Sequence, residues 1–157
     1  MSNGVDTMER QQIVSHLKQG WAEMIGIPGL RLKQVDMPAH SPLRVDLAFG
    51  GKDVKLLCEV KSDARSITIE RVISHLNELK QQTGGEHVNY CLIAPFLSKS
   101  VRDKLRSESI SFIDLSGNIY INDPEVLYIE REGRKNIFSD SQLPLSDSIR
   151  LVFINLT

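Results

Sequence analysis

The segment Val88–Phe96, Val-Asn-Tyr-Cys-Leu-Ile-Ala-Pro-Phe, limits most strongly what this chain can fold into. An almost unbroken apolar run of this length is far too short to cross a bilayer. It suits a central strand covered on both faces. Helical periodicity flanks it on either side. Before it, Ile69, Val72, Ile73, Leu76 and Leu79 form one stripe over Ile67–Gln82. After it, Ser98 or Ser100 caps a short helix that ends near Ser107. A strand joined to its neighbours through helices pairs with them in parallel.

The remaining elements fill in around that centre. Ile13, Val14, Leu17, Trp21 and Met24 recur at helical spacing over about 7–25. Asp6 and Glu9 stand at capping-box spacing, and Gly26 ends the helix. Strands are expected at Leu30–Asp36, Leu43–Phe49, Val54–Lys61, Ile110–Leu115, Ile119–Ile121 and Val126–Ile129. The order is a helix, a three-strand meander, then helix and strand in alternation. It predicts an α/β fold: an α/β/α sandwich with a mixed central sheet. Residues 1–130 form the domain, and 131–157 are a C-terminal extension whose Leu151-Val-Phe-Ile154 patch packs on the domain or opens a further element.

Composition narrows the function classes. The chain has 157 residues, 41% of them hydrophobic and 25% charged, which allows one ordinary core. No basic start followed by an apolar segment opens the sequence, so no signal peptide is expected, and the reading is cytoplasmic with no membrane segment. Cys58 and Cys91 fall in buried strands and read as packed free thiols. The 19 basic and 20 acidic residues give a net charge of -1, so nucleic-acid binding needs a local site. Walker A, G-x-G-x-x-G and G-x-S-x-G patterns are absent.

The local site is the second hairpin. Asp46 alternates away from Val45 and Leu47, and Glu59 and Lys61 share a face of the next strand. A four-residue loop, Gly50–Asp53, is the expected turn; it pairs Asp46 with Leu57 and leaves Glu59 one diagonal step away. A two-residue loop would set Asp46 opposite Lys55, farther from Glu59. Two carboxylates and an ammonium at diagonal separation suit a hard cation such as Mg²⁺ (or Mn²⁺), which activates water and neutralises a phosphodiester. The same residues also suit a solvated hairpin face with an ordinary ion pair.

Asp46 followed by Glu59-Val60-Lys61 on adjacent strands, with a helix next, resembles the PD-(D/E)XK nuclease superfamily. The resemblance covers about residues 7–121 and implies a restriction-endonuclease-like fold. It implies Asp46, Glu59 and the Val60 carbonyl as metal ligands, with Lys61 positioning water. No proline precedes Asp46; Val45 does, and Pro42 lies upstream. Glu23 and Glu9 are candidates for an acid from the first helix, with Glu9 already assigned to capping. Ser111–Asn118 resembles a block in prokaryotic nuclease-like proteins that carry a winged helix-turn-helix after the core, which would begin in 131–157. The implied activity is metal-dependent DNA hydrolysis. The alternative is an inactive nuclease-fold module that binds DNA or regulates; a plain dimerisation domain is a third.

Other charges complete the expectations. Glu70, Arg71, Ser74, His75 and Glu78 line the second helix opposite its core stripe, where Glu70 is a further acid and His75 a candidate base, or both are simply solvated. Lys52, Lys55, Arg65, Lys99 and Arg102 are the expected phosphate contacts. Aromatic residues, at 6%, are not interleaved with them, so no base-stacking platform is expected. DNA is the expected partner, with a homodimer as the assembly.

Overall fold

The protein is described by a computed structural model that covers residues 9–38, 42–62, 66–82, 88–123, 127–133 and 148–153, with side chains excepted at 66, 67 and 148–153. The order is α1 (Arg10–Met24), β1 (Arg31–Asp36), β2 (Leu43–Phe49), β3 (Lys52–Val60), α2 (Ser66–Gln82), β4 (Asn89–Ala94), α3 (Lys99–Ser107), β5 (Ser111–Asp114), β6 (Ile119–Asp123), β7 (Leu127–Glu132) and β8 (Ser148–Phe153). All eight of these strands join one sheet in chain order. The β3–β4 and β4–β5 pairs are parallel and the others antiparallel. The mixed sheet and its helical crossovers therefore match the sequence expectation.

Alternation along the strands divides the core in two. Val45, Leu47, Val54, Leu56 and Cys58 face α1 and its Ile13, Val14, Leu17 and Trp21. Leu57, Leu92 and Phe112 face α2 and α3, meeting Ile69, Val72, Leu76, Val101 and Leu105. Helices thus cover both faces, and β4, buried on both sides, carries the centre. Trp21 ties α1 to the sheet by donating from Nε1 to the Leu30 carbonyl at 3.0 Å. At the start of α1, the Glu9 N–H donates to Gln12 Oε1 at 2.8 Å. Glu9 is thus the N-cap rather than the third helical residue; Asp6 lies outside the described residues. Cys58 and Cys91 are free, buried and in register across β3–β4, and burial pushes the Cys58 thiol well above its usual range.

The extension is part of the sheet where it is described. β7 continues past residue 130, and β8 pairs along it from Leu127↔Phe153 to Glu132↔Ser148. The apolar terminal patch therefore supplies an eighth strand.

The β2–β3 turn departs from expectation. Phe49 pairs with Lys52, so the loop is Gly50-Gly51 alone, with φ of 60° and 79°. Two consecutive positive φ values are what a tight hairpin requires, and glycine adopts them without a Cβ penalty. Lys52 and Asp53 stay in the strand although both are polar. Asp53 is held by Lys33, reaching across from β1 at 3.2 Å. Asparagine tolerates the first of these turn positions and restricts the unfolded chain. Gly50→Asn is therefore expected to raise stability by about 0.5 kcal/mol in urea unfolding.

Candidate functional site

The shorter turn resets the whole hairpin. Asp46 stands opposite Lys55, and Arg44 opposite Leu57. Glu59 lies four residues beyond Lys55, about 13 Å along the strand at ordinary strand rise. Asp46 and Glu59 therefore share a face and do not converge. Asp46 instead joins Gln34, Asp36, Arg44 and Lys55 around a small polar depression on β1–β3. The expected pairing of Asp46 with Leu57 is corrected by this register, and the two acids are too far apart to share one ion. Among the described residues, no three His, Cys, Asp or Glu side chains stand close enough to hold a metal.

Glu59 has other partners. The alternation Glu59-Val60-Lys61 sends both charged side chains to the face that α2 covers. The α2 stripe of Ile69, Val72, Ile73 and Leu76 seats that helix on the sheet. His75, three residues after Val72, then flanks the stripe and reaches β3. Its Nδ1 lies 2.8 Å from Glu59 Oε1, and Lys61 Nζ lies 3.6 Å from Glu59 Oε2. The carboxylate is 18% exposed, whereas His75 and Lys61 are 49% and 41% exposed. One sheltered acid thus orients two accessible groups. The parallel ladder fixes its base: Glu59 pairs with Leu92, Val60 with Ile93, and the Lys61 N–H donates to the Ile93 carbonyl at 2.9 Å.

An Nδ1–H donor to a carboxylate leaves the lone pair of a neutral imidazole on Nε2. The group can then accept a proton from a bound molecule, and the ammonium can meet an anion. His75 was legible as a polar residue on α2; its meeting with Glu59 is set by helix placement, which spacing along the chain does not encode.

The other expected site residues lie elsewhere. Glu23 is exposed on α1, the layer that covers the opposite face. Glu70 turns to α3, where Lys104 Nζ lies 3.7 Å away. Lys99 pairs with Asp103 at 3.0 Å. Arg102, expected at a phosphate, is buried: it donates to Asn118 Oδ1 at 2.8 Å and to the Ser98 carbonyl at 3.4 Å. Lys52 borders the turn and Lys55 faces Asp46; Arg65 lies outside the described residues.

Arg102 belongs to a buried network that sequence reading missed. Asp114 accepts from the backbone N–H of Leu97, Ser116 and Asn118 at 2.9, 2.9 and 3.0 Å, and from the Asn118 amide at 2.7 Å. Asn118 Oδ1 also receives the Gly133 N–H at 2.8 Å. The Ser111–Asn118 block thus fastens the ends of β4 and β7, the start of β6 and α3 together. Burial pushes the Asp114 carboxyl up to about 6, outweighing the hydrogen bonds that favour its charged form.

The class these features define is a mixed α/β domain with a Glu-His-Lys cluster at the carboxyl ends of its parallel strands. No family model and no curated protein matches the chain. Among solved structures it is similar to EndoMS in apo form, at 17% identity and a TM-score of 0.43, over 68% of this chain and 45% of EndoMS. It is also similar to an EndoMS–dsDNA2 complex, at 15% identity and a TM-score of 0.42, over 69% of this chain and 45% of that one. The chain thus spans just under half the length of EndoMS. No described helix is long and apolar enough to cross a membrane.

Proposed function

We propose that the chain is a nuclease-like module that binds the DNA backbone without the paired-carboxylate ion centre of a metal-dependent nuclease. The β2–β3 register carries this reading: it keeps Glu59 and Lys61 together while moving Asp46 about 13 Å along the strand from Glu59. On β2 and β3, Arg44, Lys55 and Lys61 share that face with Asp46, Asp53 and Glu59, and Asp53 is paired by Lys33 from β1. Lys55 and Lys61 are six residues apart, about 20 Å, enough to meet separate phosphates of one backbone.

Phosphate contacts release counterions, so affinity falls with salt. Fluorescence anisotropy with duplex DNA is expected to give a log–log salt dependence whose slope drops by about 1 for Lys61→Ala and again for Lys55→Ala. DNA incubated with Mg²⁺ or Mn²⁺ is expected to stay intact. Cleavage that depends on Asp46 and Glu59 together, or binding indifferent to both lysines, would overturn the reading.

A further inference from the structure

We infer that Glu59, His75 and Lys61 form a metal-independent acid–base site that cleaves RNA by transesterification. The inference rests on the reading above in one respect, that this face engages a nucleic-acid backbone. It goes further by assigning chemistry to groups that a purely binding surface does not need.

The geometry carries the argument. A lysine alone suffices to hold a phosphate. Here a sheltered carboxylate also fixes an accessible imidazole through Nδ1 at 2.8 Å and sits 3.6 Å from an ammonium. The ring is thereby held in the tautomer that presents a basic Nε2. The result is a base with its orienting acid and a neighbouring cation, all at one strand end.

The substrate class follows from what this set lacks. DNA hydrolysis needs an external water activated beside a strongly neutralised phosphorus, the task a pair of carboxylates performs by holding an ion. Asp46 is too far away to join Glu59 in that task. RNA brings its own nucleophile: the 2′-hydroxyl is already adjacent to the phosphorus, and intramolecular attack gains greatly from proximity. In the step, His75 Nε2 takes the 2′-hydroxyl proton and the O2′–P bond forms. The P–O5′ bond breaks with its electron pair. Lys61 stabilises the non-bridging oxygens and gives a proton to the departing O5′; His75 then releases its proton to solvent and Lys61 takes one up, restoring both groups. The products are a 2′,3′-cyclic phosphate and a 5′-hydroxyl end.

The test is incubation of the full chain with end-labelled single-stranded RNA in EDTA, with mass spectrometry of the ends. Cyclic phosphate ends are expected, and none from the same oligonucleotide carrying 2′-deoxyribose throughout. His75→Ala and Lys61→Ala are each expected to lower the rate about 100-fold or more. Added imidazole should restore part of the His75→Ala rate but none of the Lys61→Ala rate. Glu23→Gln, on the opposite face, should leave the rate unchanged. Circular dichroism checks that each variant is folded. No cleavage by the wild type, equal cleavage of the deoxy strand, or activity persisting in His75→Ala would each overturn the inference. DNA binding retained without RNA cleavage would sink this inference alone; cleavage without DNA binding would sink only the earlier reading.

Discussion

Asp114→Ala is expected to lower the unfolding free energy by about 3–5 kcal/mol, the range for breaking a buried charged network. The carboxylate accepts four hydrogen bonds, three of them from backbone N–H groups. Alanine would leave the Leu97, Ser116 and Asn118 donors buried without an acceptor, and each such group carries a desolvation cost of about 1–3 kcal/mol. The Asn118 amide would lose its acceptor as well, and with it the orientation that receives Arg102 and Gly133. Thermal unfolding is expected to shift down by about 10 °C for a chain of this size.

The same group sets a pH dependence with a definite sign. Its folded pKa, about 6, lies above the ordinary aspartate value of 3.8, so the native state holds the proton where the unfolded chain has released it. Stability from this group is fully present below about pH 4 and is lost as pH rises through about 6. The loss is on the order of 3 kcal/mol. Urea unfolding across that range checks it, and Asp114→Asn should remove this part of the slope. A wild-type stability from this group that instead rises between pH 4 and 6 would contradict the assignment.

Gly133→Ala is the second large expected effect. A Cβ there would lie 2.3 Å from the Ser116 carbonyl oxygen, 2.4 Å from Gly117 C and 2.6 Å from Asn118 N. All three are backbone atoms of the β5–β6 turn, so no side chain can swing aside. Gly117, at φ 94°, is already constrained to the left-handed region and faces the Met24 carbonyl. Relief would require β7 to back away from Asn118, breaking the 2.8 Å bond from the Gly133 N–H. The cost is expected to be about 3 kcal/mol, read by chemical denaturation. Combined with Asp114→Ala, the loss should fall well short of the sum, because both changes break the Asn118 junction.

The sequence carried the layer plan further than the site. The apolar run at β4 and the periodic stripe of α2 follow from burial alone, and both appear where periodicity puts them. The hairpin register did not, because polarity at Lys52 and Asp53 read as loop. In the fold, Lys33 pairs with Asp53 across the sheet and keeps it extended. That contact spans twenty residues of chain, beyond any local pattern. Arg102 misled for a similar reason. Its helix is rich in charge, yet Arg102 lies between buried Val101 and Leu105 in the layer against the sheet, and its partner Asn118 arrives from β6. Asp114 and Asn118 are spaced for a self-bonding turn, a signal that local reading could have used.

The unbroken succession β1 to β8 across the sheet has a bearing on how such a chain can change over generations. Among the described residues no strand is wedged between two others that precede it, so material can be added or lost at either margin without unzipping an interior ladder. β1 at one border and β8 at the other are the places where length can vary most cheaply. The Glu59 cluster, rooted on the third and fourth ribbons, lies well inside both borders and would survive such remodelling.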